Sequence, residues 1–293
     1  MKGEGVDSKE IGYLLDFYNE VEDDSIRSQI MDRLLDSIPF GHHPQPLIET
    51  IEDPHRRCQL RLHSMEDLNE QKRIHDLKTF VATESLRNDI EAAVFVISRL
   101  SDSQTITPEG FAHDLDRLAE PLTERLHRVA RGRPEEKLDT LIDYLFFEKG
   151  YRGNTENYYD PENSYLTSVL KTGLGIPVSL SILTLLVGRR AGLSIEGINL
   201  PGHFIVRFVD GNYSTYFDPF NEGSLLTEED CVRFMLRQGI TPAPDYFVPA
   251  DALTIMKRMY RNLMNHYSSC GDTKKEETLN RHFAILQNHS LSR

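Results

Sequence analysis

The chain predicts an α+β fold in which helices enclose a small antiparallel sheet. Three observations carry this reading. Apolar residues recur every three to four positions over 10–37, 89–148 and 251–288, the spacing of one buried helix face. Residues 177–191 form the clearest helix, with Pro177 suited to its first turn and Gly192 to its stop. Between them and the tail lie three short strand-like runs, 194–200, 204–209 and 213–217, joined by Pro201-Gly202 and by the hairpin signal Asp210-Gly211-Asn212.

Taken in order, residues 1–9 read as disordered, and 10–37 as two helices carrying Ile11, Leu14, Leu15 and Tyr18, then Ile26, Ile30, Leu34 and Leu35. Two prolines and a glycine break the pattern over 40–46. A short helix and turn follow at 47–58, then a polar connecting helix over 60–85. Helices are expected at 89–100, 108–130 and 134–148. Thr107 and Pro108 start the second, Pro134 the third, and Gly150 ends it. The polar, aromatic stretch 151–166 reads as a long loop. Beyond the strands, Thr227 with Asp230 resembles a capping box for a helix running to Arg237. A Pro-rich linker, 241–249, leads to helices at 251–269 and 273–288 around Gly271-Asp272.

Composition narrows the function classes. The 293 residues are 39% hydrophobic and 27% charged, enough for a buried core. A net charge of −13 argues against general nucleic-acid binding, because phosphate backbones demand excess Lys and Arg. The four arginines of 123–133 read as a helix face and its end. Three scattered cysteines, Cys58, Cys231 and Cys270, suit a reducing cytosol rather than a disulfide framework. There is no apolar signal-peptide core, and the longest apolar run, 176–188, falls short of the ~20 residues a bilayer span needs. A cytoplasmic location without membrane contact is the expectation. No metal is expected: His42-His43 and His55 with Cys58 lack the partner ligands of a metal site. No phosphate-binding glycine pattern is present, so no cofactor is expected.

The chemistry-bearing residues are His203 and Asp218. A hydrolase of the triad type needs a nucleophile, a base and a group that orients the base. His203 and Asp218 fall on neighbouring strands of one hairpin and suit base and orienter. Each also has a structural alternative, His203 as a satisfied residue at a strand start and Asp218-Pro219 as a turn. Ser179, in the first turn of the 177–191 helix, is either a candidate nucleophile or a residue bonding backbone. Asn154, Tyr158, Tyr159 and Asn163 either wall a cleft or belong to a loop pinned by its own side chains, Asp160 or Asn163 capping a helix. Asn221 is positioned to line the same pocket. Acidic neighbours disfavour a thiolate at Cys231.

The stretches YRGNTENYYDPENSYLTSVL, GIPVSLSILTLLVGRRAGL, NLPGHFIVRF and YFDPFNEGSLLTEEDC resemble the transglutaminase-like superfamily. The nearest likeness is to its bacterial branch of regulators of sirC expression, with a tetratricopeptide-like tail; a related domain occurs in some eukaryotic F-box proteins. The resemblance covers roughly 78–235, extends loosely to the tail, and leaves 1–70 uncovered. It implies a transglutaminase/papain-like core at 151–235 with a helical lead-in at 78–150. The domains would then be a helical extension at 1–70, the transglutaminase-like domain at 71–245 and a helical hairpin at 246–293. It also implies a cysteine at the start of the 177–191 helix. Counting back from Arg189 and Gly192 puts that position at Pro177, or with a small shift at Ser179. The leading expectation is therefore a non-catalytic protein that binds an unidentified peptide or protein in the former active-site cleft. The alternatives are a serine-dependent hydrolase or acyltransferase using Ser179, His203 and Asp218, and a helical scaffold with an inert pocket. A single tetratricopeptide-like unit cannot bury its apolar face alone, so the tail must pack on the core or on a partner.

Overall fold

The structure is a computed structural model that describes residues 8–45, 49, 65–101, 106–129 and 132–291. The short helix expected at 47–58, and with it His55 and Cys58, lies outside the described residues. Residues 1–7 do too, and the first helix, α1, starts at Ser8, inside the stretch read as disordered (Ser8–Glu20). Helix α2 (Asp24–Asp36) is capped by Asp23, whose carboxylate accepts from the Ser25 and Ile26 N–H groups at 2.8 and 3.1 Å. That bond satisfies two of the donors a helix start leaves open.

Helix α3 (Met65–Ala82), the short α4 (Glu84–Arg87) and α5 (Ile90–Ser98) follow. In α5 the run Ala93–Ile97 is buried on every side, as its sequence AVFVI demands. A buried charge cluster ties these parts together. Asp76 of α3 accepts from Lys72 at 2.5 Å, from Arg99 after α5, and from the Gly41 N–H at 3.3 Å. Lys72 and Asp76 are essentially without solvent contact, so neither charge is tolerable without the other.

Helix α6 (Pro108–Arg128) starts where its sequence says, with Thr107 Oγ1 accepting from the Gly110 N–H at 3.2 Å. Helix α7 (Pro134–Ile142) widens into a π turn over Asp143–Glu148 before Gly150 ends it in the left-handed region, at φ 73°. The stretch read as one long loop, 151–166, holds a short strand and a 3₁₀ turn, and a helix and a second strand follow beyond it. Strand β1 (Arg152–Gly153) pairs in parallel with β2 (Leu174–Gly175), and between them lie a 3₁₀ turn (Pro161–Ser164) and helix α8 (Leu166–Thr172).

Helix α9 (Pro177–Arg190) is the centre of the molecule; every residue from Pro177 to Gly188 is buried. It packs on an antiparallel sheet of four strands in sequence order: β3 (Ser194–Ile198), β4 (Ile205–Asp210), β5 (Tyr213–Asp218) and β6 (Ser224–Leu226). The sequence predicts only the first three. Asp210 pairs with Tyr213, which leaves Gly211-Asn212 as a two-residue hairpin turn. Gly211 takes φ 61° there, a conformation open to glycine at no steric cost. Helix α10 (Glu228–Arg237) opens with the expected capping box of Thr227 and Asp230.

The C-terminal hairpin, α11 (Ala252–Cys270) and α12 (Thr273–Leu291), packs on the core rather than standing free. One continuous apolar cluster runs from Leu77 through α9 to Met256, Met259, Tyr260, Leu263 and Leu286. The fold is thus α+β, with α9 and its four-stranded sheet lying between helical extensions. No helix among the described residues is long and apolar enough to cross a membrane.

Asp76→Ala leaves Lys72 and Arg99 buried without their counter-charge. Urea unfolding should show a loss of about 3–5 kcal/mol, and a loss below about 1 kcal/mol would mean the cluster does not bind α3, α5 and the 40–43 segment together.

Candidate functional site

The hairpin register brings His203 and Asp218 together. Val206 lies opposite Phe217, so Asp218 at the end of β5 sits beside the residues leading into β4. Gly202 makes the preceding turn at φ 78°, and the His203 N–H closes it on the Leu200 carbonyl at 3.1 Å. Ser181 of α9 then donates to the Phe204 carbonyl at 3.1 Å and fixes the strand start against the central helix. Nothing in the sequence pattern singled out Ser181, since one serine inside an apolar helix carries no spacing signal.

Asp218 is nearly buried and takes three hydrogen bonds. Its Oδ2 accepts from His203 Nε2 and from Asn221 Nδ2, both at 2.7 Å, and Oδ1 accepts from the Phe220 N–H at 3.0 Å. Burial alone would raise its pKa. The bonds from His203, Asn221 and Phe220 outweigh burial and hold the carboxyl below its ordinary value. A carboxylate acceptor at Nε2 places the proton of a neutral imidazole on that nitrogen and leaves Nδ1 as the open acceptor. Among the described residues Nδ1 has no hydrogen-bond partner, and the ring lies tilted against Phe234 at 5.5 Å. The turn after Asp218 is tight: Glu222 takes φ 54°, rare for a residue with a side chain, and Gly223 follows at 78°.

Ser179 is wholly buried and does not join this pair. Its Oγ lies 2.6 Å from the Asn163 carbonyl and 3.1 Å from the Ile176 carbonyl, and accepts from the Ile176 N–H at 3.0 Å. A hydroxyl has one proton to give, and here backbone oxygens take it. Pro177, the other position counted for a nucleophile, is a first-turn residue with no reactive group.

The 154–163 loop is pinned by its own side chains. Asn154 Nδ2 donates to Asn163 Oδ1 at 2.9 Å, and Asn154 Oδ1 accepts from the Asn157 N–H at 3.0 Å. Asn163 Nδ2 reaches the Asn157 and Tyr158 carbonyls at 2.7 and 3.3 Å. Asp160 caps the 3₁₀ turn by accepting from the Glu162 N–H at 3.0 Å. Asn154 and Asn163 therefore spend their amides inside the loop, while Tyr158 and Tyr159 are presented outward, 37% and 63% exposed. Tyr158 sits edge-on to Tyr159 at 5.4 Å and to Phe220 at 6.0 Å. Through Phe220 the aromatic ledge adjoins Asp218.

Cys231 is buried among Ile198, Leu200, Ile205, Tyr216 and Met235. Burial, with Asp230 and Glu228, pushes its thiol up to about 11, so it is no substitute nucleophile at neutral pH. Among the described residues no group of three or more His, Cys, Asp or Glu is placed to hold a metal ion.

Because its folded pKa is depressed, ionised Asp218 contributes stability that is fully present above the unfolded carboxylate value of about 3.9 and is lost as pH falls through the lower folded value. Asp218→Asn should therefore be less stable than wild type at pH 7 by about 1–3 kcal/mol, with the gap closing on acidification. Urea titrations at pH 7 and in the acid limb test this; a gap independent of pH would contradict it. Ser179→Ala removes a buried bond to Asn163 and should cost about 1–2 kcal/mol in the same assay. An unchanged stability would mean that hydroxyl does not hold the loop.

A UPF0162 protein of Xylella fastidiosa is 36% identical over 174 residues, 53% of this chain and 60% of that protein. A UPF0162 protein of Vibrio cholerae is 31% identical over 138 residues, covering 45% of this chain and 50% of its own length. Human F-box only protein 21 is 24% identical over 225 residues, 68% of this chain and 35% of that protein. The chain thus spans about 60% of the length of the Xylella relative. No solved structure matches it. The model of the transglutaminase-like superfamily matches residues 109–261, just over half of the chain and the whole of the α9, His203 and Asp218 arrangement, and the chain belongs to that superfamily.

Proposed function

We propose that this chain is a non-catalytic transglutaminase-like protein that binds a peptide or protein segment against the His203–Asp218 face. The observation that carries the reading is the state of Ser179. Its hydroxyl is buried and bonded to the backbone of residues 163 and 176, while His203 is oriented by Asp218 with no partner on Nδ1 among the described residues. Base and orienter are retained without an attacking group. The exposed rings of Tyr158 and Tyr159 beside them offer the amphipathic surface that peptide recognition favours.

Within the superfamily we assign the chain to the bacterial branch of regulators of sirC expression. Similarity to bacterial UPF0162 proteins and the α11–α12 hairpin, read as tetratricopeptide-like, support that assignment. On this reading residues 71–245 form the binding domain, flanked by the helical extension 1–70 and the hairpin 246–293. A cytoplasmic setting fits two free thiols, Cys231 and Cys270.

A fluorophosphonate probe applied to the folded protein should leave Ser179 unlabelled. Labelling that disappears in both Ser179→Ala and His203→Ala would replace this reading with a serine-dependent hydrolase or acyltransferase.

A further inference from the structure

Arg258 on α11 is an arginine without a counter-charge among the described residues. Three of the other partly or wholly buried arginines have one: Arg99 pairs with Asp76, Arg190 with Glu91 and Asp116 at 2.6 and 2.7 Å, and Arg207 with Glu196 at 2.6 Å. Arg258 has only Nη1 engaged, in long contacts to Asn199 Oδ1 at 3.4 Å and the Leu200 carbonyl at 3.3 Å. Among the described residues no carboxylate pairs with it, and Nε and Nη2 have no acceptor. A shortage of acids is not the reason, since the chain has 46 Asp and Glu against 33 Lys and Arg. A partly buried guanidinium is costly unless its donors are met, and carboxylate is the group its planar fork matches.

Its surroundings link it to the site already described. The Leu200 carbonyl that accepts from Arg258 also accepts from the His203 N–H. Burial pulls the Arg258 pKa down, the nearby Tyr158 hydroxyl opposes that shift and Arg261 adds to it. Tyr158 in turn packs edge-on against Phe220, next but one to Asp218, and against His266, two turns beyond Arg258 on α11, at 6.4 Å. His266 is almost fully buried, and its Nδ1 is an unmet polar atom. Tyr159 closes over the same imidazole at 5.8 Å. A phosphate would call for a second cation, but Arg261 lies over the Phe283 ring at 5.5 Å.

We propose that Arg258 is the anchor of a carboxylate subsite, in which its free guanidinium edge takes a carboxylate of the bound peptide while Tyr158 and Tyr159 wall the neighbouring residue. This rests on the peptide-binding reading and names the ligand group that reading lacks.

The test is fluorescence anisotropy with three dye-labelled pentapeptide pools: one without acidic residues and ending in a free carboxylate, the same pool amidated, and an amidated pool with one fixed Glu. The free-acid pool, the Glu pool or both should bind at least tenfold more tightly than the neutral amide, and which of them does tells a C-terminal from a side-chain carboxylate. Arg258→Gln should erase that preference, bringing the acidic pools to the affinity of the neutral one. Should Arg258→Gln fail to fold, Arg258→Lys, which keeps the charge but not the fork, should narrow the preference severalfold. Equal binding of all three pools to wild type, or a preference undiminished in the variants, overturns the carboxylate subsite and leaves peptide binding standing. No binding of any pool up to millimolar protein overturns both.

Discussion

A carboxylate removed from water must recover its lost hydration from the protein, and Asp218 recovers it from three donors that each fix a different part of the site. The bond from His203 sets the imidazole's tautomer and direction. The bonds from Asn221 and the Phe220 N–H curl the chain after β5 into its 3₁₀ turn (Pro219–Asn221). That turn drives the Phe220 ring against Gly153, where a side-chain carbon would come within 2.6 Å of it. Phe220 also supports Tyr158, so the outward aromatic ledge depends on the same buried charge.

The two serines of α9 show how an apolar helix is anchored at defined points. Ser179 holds the Asn163 carbonyl of the loop and Ser181 the Phe204 carbonyl ahead of β4. Two residues apart on a helix, they point to different sides. The helix therefore spaces the loop wall from the histidine strand, with hydroxyls serving as fasteners between buried backbone groups. At Ser179 the hydroxyl lies within bonding distance of the Asn163 and Ile176 carbonyls.

Much of this was legible in the sequence for physical reasons. Pro201-Gly202 and Asp210-Gly211-Asn212 each force a turn, and the residues between them set a register that leaves His203 and Asp218 adjacent. Thr107, Pro108, Thr227 and Asp230 mark helix starts because their local hydrogen bonds do not depend on the rest of the fold. The shorter elements were not legible. A two-residue parallel pair and the three-residue β6 are too brief to show alternation, and α8 is seven residues of mixed polarity. Arg258 was hidden for another reason. In the sequence it is one cation on the polar face of an amphipathic helix, and its lack of a carboxylate partner among the described residues shows only once Asn199 and Leu200 are folded beside it.

The placement of Arg258 bears on where the molecule can be divided. The superfamily match stops at residue 261, yet α11 runs unbroken from Ala252 to Cys270. A fragment trimmed to that similarity would end midway along a helix and discard Leu263, which is fully buried, together with His266 and the whole of α12. Residues beyond the superfamily match are part of the packed interior. Any dissection, fusion or transplant of the domain has to keep the last hairpin, because the superfamily match ends inside a helix whose remaining turns are packed into the core.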